Sequence, residues 1–223
     1  RVLFRSRFLG QTHCMSTRLT VPTLLAGLAL AFATPAYAAT DSYRFDTVHS
    51  QVLFNITHDG YSRPWGRFHI ARGWLRFDPD HWERSATALD IDLNSLDMGD
   101  ADWNKAVLKP SLLDAAGHRY AHFASTSVER TDASHGVIHG QLTLRGVTRP
   151  VDVPFQFNRL ARTIFGLHTV AGFSATAALD RRDFGITAFK NSIGDQVLVR
   201  LEIEAIRDDG AAPASSTSSK DMP

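Results

Sequence analysis

The sequence predicts an all-β domain, with eight strands joined by mostly short turns into one antiparallel sheet. Three observations carry that prediction. Between residues 50 and 206 apolar and polar side chains alternate over most of the chain, the period of two that gives a strand one dry and one wet face. Gly, Pro, Asn or Asp separates most of the alternating runs, and these residues are the ones turns require. No nucleophile elbow, phosphate loop or tight metal cluster interrupts the pattern.

Each element can be justified in turn. Ser50 to His58 sets Val52, Phe54, Ile56 and His58 against Gln51, Leu53, Asn55 and Thr57. Gly66 to Phe77 follows, with Phe68 and Ile70 in phase. Gly73 then lets the register slip, as a bulge would, so that Leu75 and Phe77 share a face. Thr87 to Leu93 places Leu89, Ile91 and Leu93 opposite Asp90 and Asp92. Ala121 to Arg130, Val137 to Arg145, Val151 to Asn158, Val170 to Leu179 and Val197 to Ile206 complete the eight. The clearest hairpin runs from His139 to Phe155. Leu142 and Leu144 lead into a turn carrying Gly146 and Pro150, and Val151, Val153 and Phe155 lead out.

One segment breaks the period. From Asp100 to Leu113, Trp103, Val107 and Leu108 fall at helical spacing, and Pro110 limits the helix to about 100–109. A helix that short is placed to act as a lid or a plug. Eight such strands either close into an antiparallel barrel or fold into a sandwich, and closure would remove the edge strands. The interior of an eight-stranded barrel is filled by side chains or holds one small ligand. Phe54, Ile56, Phe68, Leu89, Ile91, Phe123, Phe155, Phe157 and Phe173 are the candidate lining. Pattern alone leaves a solid core and a hollow one equally open.

The chain ends read differently. Met15, Arg18, the apolar stretch Leu24 to Ala33, and the small residues Ala36 and Ala38 have the order of a secretory signal peptide over 15–38. Cleavage is expected after Ala38, with residues 1–14 an upstream, non-native extension. The apolar stretch falls short of the roughly 20 residues a membrane span needs. This leader holds four Arg and no acid, which leaves 20 bases against 23 acids, a net charge of −3. That balance, with no Lys/Arg stripe, argues against a nucleic-acid partner. The single cysteine, Cys14, also precedes the domain, so neither a disulfide nor thiol chemistry is expected in it. Residues 208–223 are small and polar and read as a disordered tail. The remaining stretch, 41–207, is long enough for one sizeable core.

Polar candidates are few. His49 and His58 stand at the two ends of the first strand, where each could meet a ligand head group or simply bond backbone at a turn. Arg145, before Gly146, has the guanidinium fork that matches phosphate oxygens, or is a solvated hairpin residue. Arg182-Asp183 suits a local ion pair fixing a turn. His118/His122 and His135/His139 are four apart, but neither pair sits in a helical pattern or has a third ligand nearby, so no metal site is assigned. Asp46, His49 and Ser50 are only neighbours in sequence, which is no evidence for a catalytic triad. No catalytic residue and no cofactor is assigned.

Several of these segments together resemble the YceI-like family of periplasmic polyisoprenoid-binding proteins. They are Tyr43 to Phe54 with His58, Gly66-Arg67-Phe68, Ile91 to Leu96, Gly140 to Val151, Arg182 to Ile186 and Ile193 to Val197. They stand in the family's order over about 43–205. Two departures fall near the short helix. Leu112-Leu113 stands where the family usually has paired Phe, and Ala115-Ala116-Gly117-His118 looks longer than usual. The resemblance implies a lipocalin-like eight-stranded antiparallel barrel whose tunnel holds a long isoprenoid chain, a polyprenyl diphosphate or an isoprenoid quinone tail. It also implies a periplasmic location and a non-enzymatic carrier or store, with His49, His58 and Arg145 as candidates for the head group. Two rivals remain. An enzyme acting on a quinone or lipid head group would need an inward polar cluster around those three residues. An envelope interaction module would have a filled core and an exposed apolar patch. A homodimer and a monomer both fit the sequence.

Overall fold

A computed structural model describes residues 40–164 and 166–213. The leader 1–38, its cleavage point and residues 214–223 of the expected tail lie outside the described residues.

Nine strand segments are present among the described residues: β1 Asp41–Phe45, β2 Gln51–His58, β3 Trp65–Phe77, β4 Ala86–Asp97, β5 Tyr120–Arg130, β6 His135–Leu144, β7 Val147–Arg162, β8 Thr169–Asp180 and β9 Ile193–Arg207. Every pairing is antiparallel, and the sheet closes through β2–β9 and β3–β4. β1 and β2 both lie between β3 and β9. They are therefore two halves of one interrupted strand, and the barrel has eight strand positions. Closure leaves no full-length edge strand, the liability that an open sheet must cover in some other way.

The sequence reading began the sheet at Ser50 and did not recognise β1, because a five-residue strand is too short to display a period. The interruption is stapled to β9. Asp46 Oδ1 accepts from the Val48 and His49 N–H groups at 2.9 and 3.3 Å. Ser50 Oγ donates to the Glu204 carbonyl at 3.0 Å and accepts the Glu204 N–H at 3.1 Å. His49 Nδ1 lies 2.8 Å from Asp46 Oδ2. That hydrogen bond, and then the carboxylate charge, raises the His49 pKa above its ordinary 6.5. A raised pKa adds stability that is complete below the unfolded value and lost as pH rises through the folded one. Asp152 acts in the same direction on His139. The melting temperature is therefore expected to fall slightly between about pH 6 and pH 8. Asp46→Asn should remove the His49 share, seen as an NMR titration midpoint that returns toward 6.5.

Two other expectations are corrected. The β3–β4 register shifts twice, between Arg67 and His69 and between Ile70 and Arg72, both ahead of Gly73. Gly73 is required for a different reason, since a Cβ there would stand 2.6 Å from the Ala88 carbonyl oxygen on β4. β7 starts at Val147, not Val151, so that Pro150 pairs with Gln141 inside the hairpin instead of forming its turn. It continues past Asn158 to Arg162, so its hairpin with β8 projects beyond the barrel rim. At the far end of the chain, the Asp208 N–H donates to the Ser42 carbonyl at 2.8 Å, which ties the start of the expected tail to β1.

The short helix forms as α1, Ala101–Val107, with the Asp100 carboxylate accepting from the Trp103 N–H at 2.8 Å. At the opposite end of the barrel a 3-10 turn, Trp82–Arg84, brings Trp82 over the lumen. Phe77, Trp82, Phe155, Phe157 and Phe173 pack there with ring centroids 5.0–6.0 Å apart. Tyr43 is fully buried with the same cluster, and its hydroxyl has no partner among the described residues. Burial raises its pKa to about 12. A buried, unsatisfied hydroxyl costs ~1–3 kcal/mol. Tyr43→Phe is therefore expected to stabilise the protein by about 1 kcal/mol in urea unfolding.

Candidate functional site: an apolar barrel cavity

Below the Trp82 end the barrel is hollow, and Phe77, Phe155 and Phe173 of the aromatic cluster form the floor of the hollow. A cavity of about 300 Å³ runs along its interior. Among its lining residues only Thr57, His58, Ser85, Thr87 and Arg181 carry polar side chains. Phe54, Ile56, Phe68, Leu89, Ile91, Phe123, Phe155 and Phe173 all line it. Phe157 does not, because it is taken up by Phe77, Trp82 and Phe173 in the closed end.

The phenylalanines leave a hollow because three of them lie over glycines of neighbouring strands. A Cβ at Gly66 would strike the Phe54 ring and Met98, one at Gly136 the Phe155 ring, and one at Gly140 the Phe123 ring. Each ring settles into the gap left by a missing side chain, flat against the wall. Phe54 also stacks on Phe68, with centroids 5.2 Å apart and planes 22° off parallel.

The mouth lies at the α1 end. Trp103 and Val107 from α1, Leu112 and Leu113 after it, Met98, Pro64, Phe184 and Ile186 surround it. Leu112-Leu113 thus serves the mouth, and Ala115 is buried with Leu93 and Ala121 just beneath. The His58 and Trp103 rings meet at 5.7 Å across the opening.

The three polar candidates are not brought together. His58 is on the rim and lines the cavity. His49 faces outward on the β1–β2 break, paired with Asp46 and 62 % exposed. Arg145 is near the mouth, and two of its guanidinium donors are engaged. It donates to the Gly185 carbonyl at 3.2 Å and the Pro110 carbonyl at 3.1 Å, tying together the two segments that overhang the opening. Arg145 and Gly146 have φ of 53° and 75°, the pair of left-handed residues a two-residue hairpin loop requires.

Sequence reasoning missed Arg181. Its side chain is buried, on the 3-10 turn Arg181–Phe184, and it lines the cavity. The guanidinium donates to four backbone carbonyls, Gly194 at 2.9 Å, Ile186 at 2.8 Å, Ala188 at 2.7 Å and Ile193 at 2.9 Å. Asp195 stands 3.2 Å away. This charge holds the 185–194 loop in shape, with four of its five N–H donors spent on backbone carbonyls and an acid beside it. Its only sequence signal was an Arg two residues past the predicted strand end at Leu179. The expected Arg182–Asp183 pair is replaced by Arg182–Asp180, at 2.6 Å, because Asp180 caps the same turn through the Arg182 N–H.

The spaced histidines separate onto different carboxylates. His122 bonds Asp90 at 2.6 Å, His139 bonds Asp152 at 2.7 Å, His135 bonds Asp132 at 2.9 Å, and His118 lies 3.8 Å from Asp114. Asp46, His49 and Glu204 do cluster, but Ser50 Oγ is bonded to the Glu204 backbone, so no Ser–His pair forms.

A model of the YceI-like domain matches residues 43–205. The chain belongs to the YceI-like family. Among curated relatives, a UPF0312 protein of Vibrio cholerae is 31% identical over 188 residues, 83% of this chain and 98% of the relative. One from Ectopseudomonas mendocina is 35% identical over 159 residues, 71% and 83% of the two chains. The YceI-like barrel also matches solved structures. BcnA of Burkholderia cenocepacia superimposes with a TM-score of 0.65 at 20% identity, over 72% of this chain and 98% of BcnA. A Saccharophagus degradans domain, described as a polyisoprenoid binding domain implicated in plant cell wall breakdown, gives 0.59 at 17% identity, over 74% and 98%. At these identities the likeness to the solved structures is one of fold. Among the described residues no helix is long and apolar enough to cross a membrane.

Proposed function

We propose that this YceI-like protein is an exported, periplasmic carrier or store for an amphiphilic lipid with a long isoprenoid chain, held tail-inward in the barrel. The observation that carries this reading is the cavity wall, which presents hydrocarbon from every strand position and almost no hydrogen-bonding groups. Such a wall cannot hold water in order, because a buried water needs two to four polar partners. Apolar chain is what it accommodates. Enclosing ~600 Å² of ligand surface is worth about 15 kcal/mol gross at ~25 cal/mol per Å², much of it offset by ordering a flexible chain. A volume near 300 Å³ is at the small end for ligand sites and suits one slender tail. The head group stays at the rim beside His58 and Trp103, with Arg145 near the mouth, since the buried Arg181 is committed to backbone carbonyls. The likeness to a domain described as polyisoprenoid-binding supports the choice of ligand class.

The test is to extract protein purified from the producing cell with organic solvent and identify the released lipids by mass spectrometry. A long-chain isoprenoid in near-stoichiometric amount is the expected result. Empty protein that also fails to take up added isoprenoid overturns the reading, and a chemically altered lipid moves it toward an enzyme. The mass of the purified protein tests export, with a start at Ala39 expected.

A further inference from the structure

We propose that the mouth of the barrel docks on an anionic lipid bilayer through two loops, residues 59–64 and 185–192, so that cargo passes between membrane and cavity without crossing water. This rests on the carrier reading above. The two loops build the mouth from inside, where Pro64 and Ile186 line the cavity. From outside they carry the two most exposed aromatic side chains among the described residues, Tyr61 at 92 % and Phe189 at 59 %. Aromatic rings left in water at the entrance of an apolar cavity suit the boundary between head groups and acyl chains, where one face meets hydrocarbon and the edge stays wet.

The loops form one platform. The Asp59 N–H donates to the Ser192 carbonyl at 2.5 Å, and the Phe189 carbonyl accepts from Ser192 and Ile193 at 2.9 and 2.8 Å. Asp59 and Phe189 both hold left-handed backbone, with φ of 47° and 54°, an uncommon conformation for residues other than glycine. The aromatic tips are therefore presented on hydrogen-bonded turns.

The charge complements an anionic surface. Arg63 and Lys190 flank the two aromatics, both are exposed, and neither enters a salt bridge among the described residues. Asp59 is the only acid within the two loops, and it stands 3.6 Å from His58. Of the adjacent carboxylates, Asp180 and Asp195 are paired with Arg182 and Arg181, and exposed Asp183 is the one acid beside the loops outside any salt bridge among the described residues, against the two cations Arg63 and Lys190. Free cations beside inserted aromatics are what draws a surface toward anionic lipid. The second exposed apolar tip, Ile164 and Leu167 on the β7–β8 hairpin, lies at the closed end, where no cargo can leave.

The test is co-sedimentation with phosphatidylcholine vesicles, with and without phosphatidylglycerol, each protein taken as the cell processes it so that any remaining leader is common to all. Uptake of a fluorescent isoprenoid added from ethanol is measured in parallel. Wild type is expected to bind the anionic vesicles at least tenfold better than the neutral ones. The double variant Tyr61→Ser/Phe189→Ser should lose at least tenfold, and Arg63→Glu/Lys190→Glu should lose the preference for anionic lipid. Uptake from ethanol and thermal unfolding should be unchanged in both, since these side chains are exposed, and Ile164→Asp/Leu167→Asp should bind vesicles as wild type does. Wild-type protein that takes up isoprenoid yet ignores vesicles overturns the proposal and assigns the face to a protein partner. Loss of vesicle binding in the hairpin variant overturns it in favour of the other end. Failure of uptake in wild type strikes the carrier reading instead, with vesicle binding still scored separately.

Discussion

Ala177→Trp is expected to abolish uptake of a long isoprenoid, weakening it at least thirtyfold, or about 2 kcal/mol. Ala177 is on β8 opposite Val199, and both line the lumen. An indole placed there occupies the path the tail must follow. The space it fills is already empty, so the usual penalty for overpacking a dense core, about 1–3 kcal/mol, should be largely avoided. The unfolding midpoint in urea is therefore expected to stay close to wild type while binding, followed by fluorescence of a labelled isoprenoid, disappears. Ala178→Trp is the control. Ala178 is one residue along and exposed on the outer face, so the same bulk should leave uptake intact. Full binding by Ala177→Trp would mean that the tail does not enter the barrel.

Arg181→Met should produce the largest loss of stability, about 3 kcal/mol by urea unfolding. The methionine replaces the volume but none of the donors. It leaves the carbonyls of Ile186, Ala188, Ile193 and Gly194 without the partner that now satisfies them, and each buried acceptor left unpaired costs ~1–3 kcal/mol. The sum is limited because the loop can open to water. That opening is itself a readout, because Phe184 and Ile186 line the mouth and bound isoprenoid should dissociate several times faster. Arg181→Lys is expected to recover less than half of the loss, since a point-like ammonium has three donors and cannot span the fork. A fully stable Arg181→Met would show that the loop is held by its apolar contacts alone.

Strand periodicity was legible because it depends on neighbours two residues apart. Seven of the runs between 66 and 206, and a hairpin between His139 and Phe155, needed no tertiary information, although the turn is tighter than the sequence predicts, at Arg145-Gly146 with Pro150 already in the strand. β1 was not legible, because Asp41–Phe45 has only five residues and shows itself as a strand only when β3 and β9 arrive on either side. The candidate lining residues were chosen by alternation, which names the inward face but not the depth along the barrel. Phe157 has the right parity and sits at the closed end among Phe77, Trp82 and Phe173. Arg181 was invisible because its four carbonyl partners belong to a loop whose shape has no periodic signature. His49 and His58 looked equivalent at the two ends of one strand, but only His58 is on the rim of the mouth.

By itself the sequence determined an all-β chain, the inward parity of the eight alternating runs, the short helix and membership of the YceI-like family. All of these are written in residue types at fixed local spacing. Only the tertiary structure decided that the barrel closes with β1 and β2 sharing a single strand position, which end is sealed, and that the interior is hollow. The physical reason is that a void is a property of facing walls. Phe54, Phe123 and Phe155 leave the lumen open because Gly66, Gly140 and Gly136 on adjacent strands give their rings somewhere else to lie, a relation that no single strand contains.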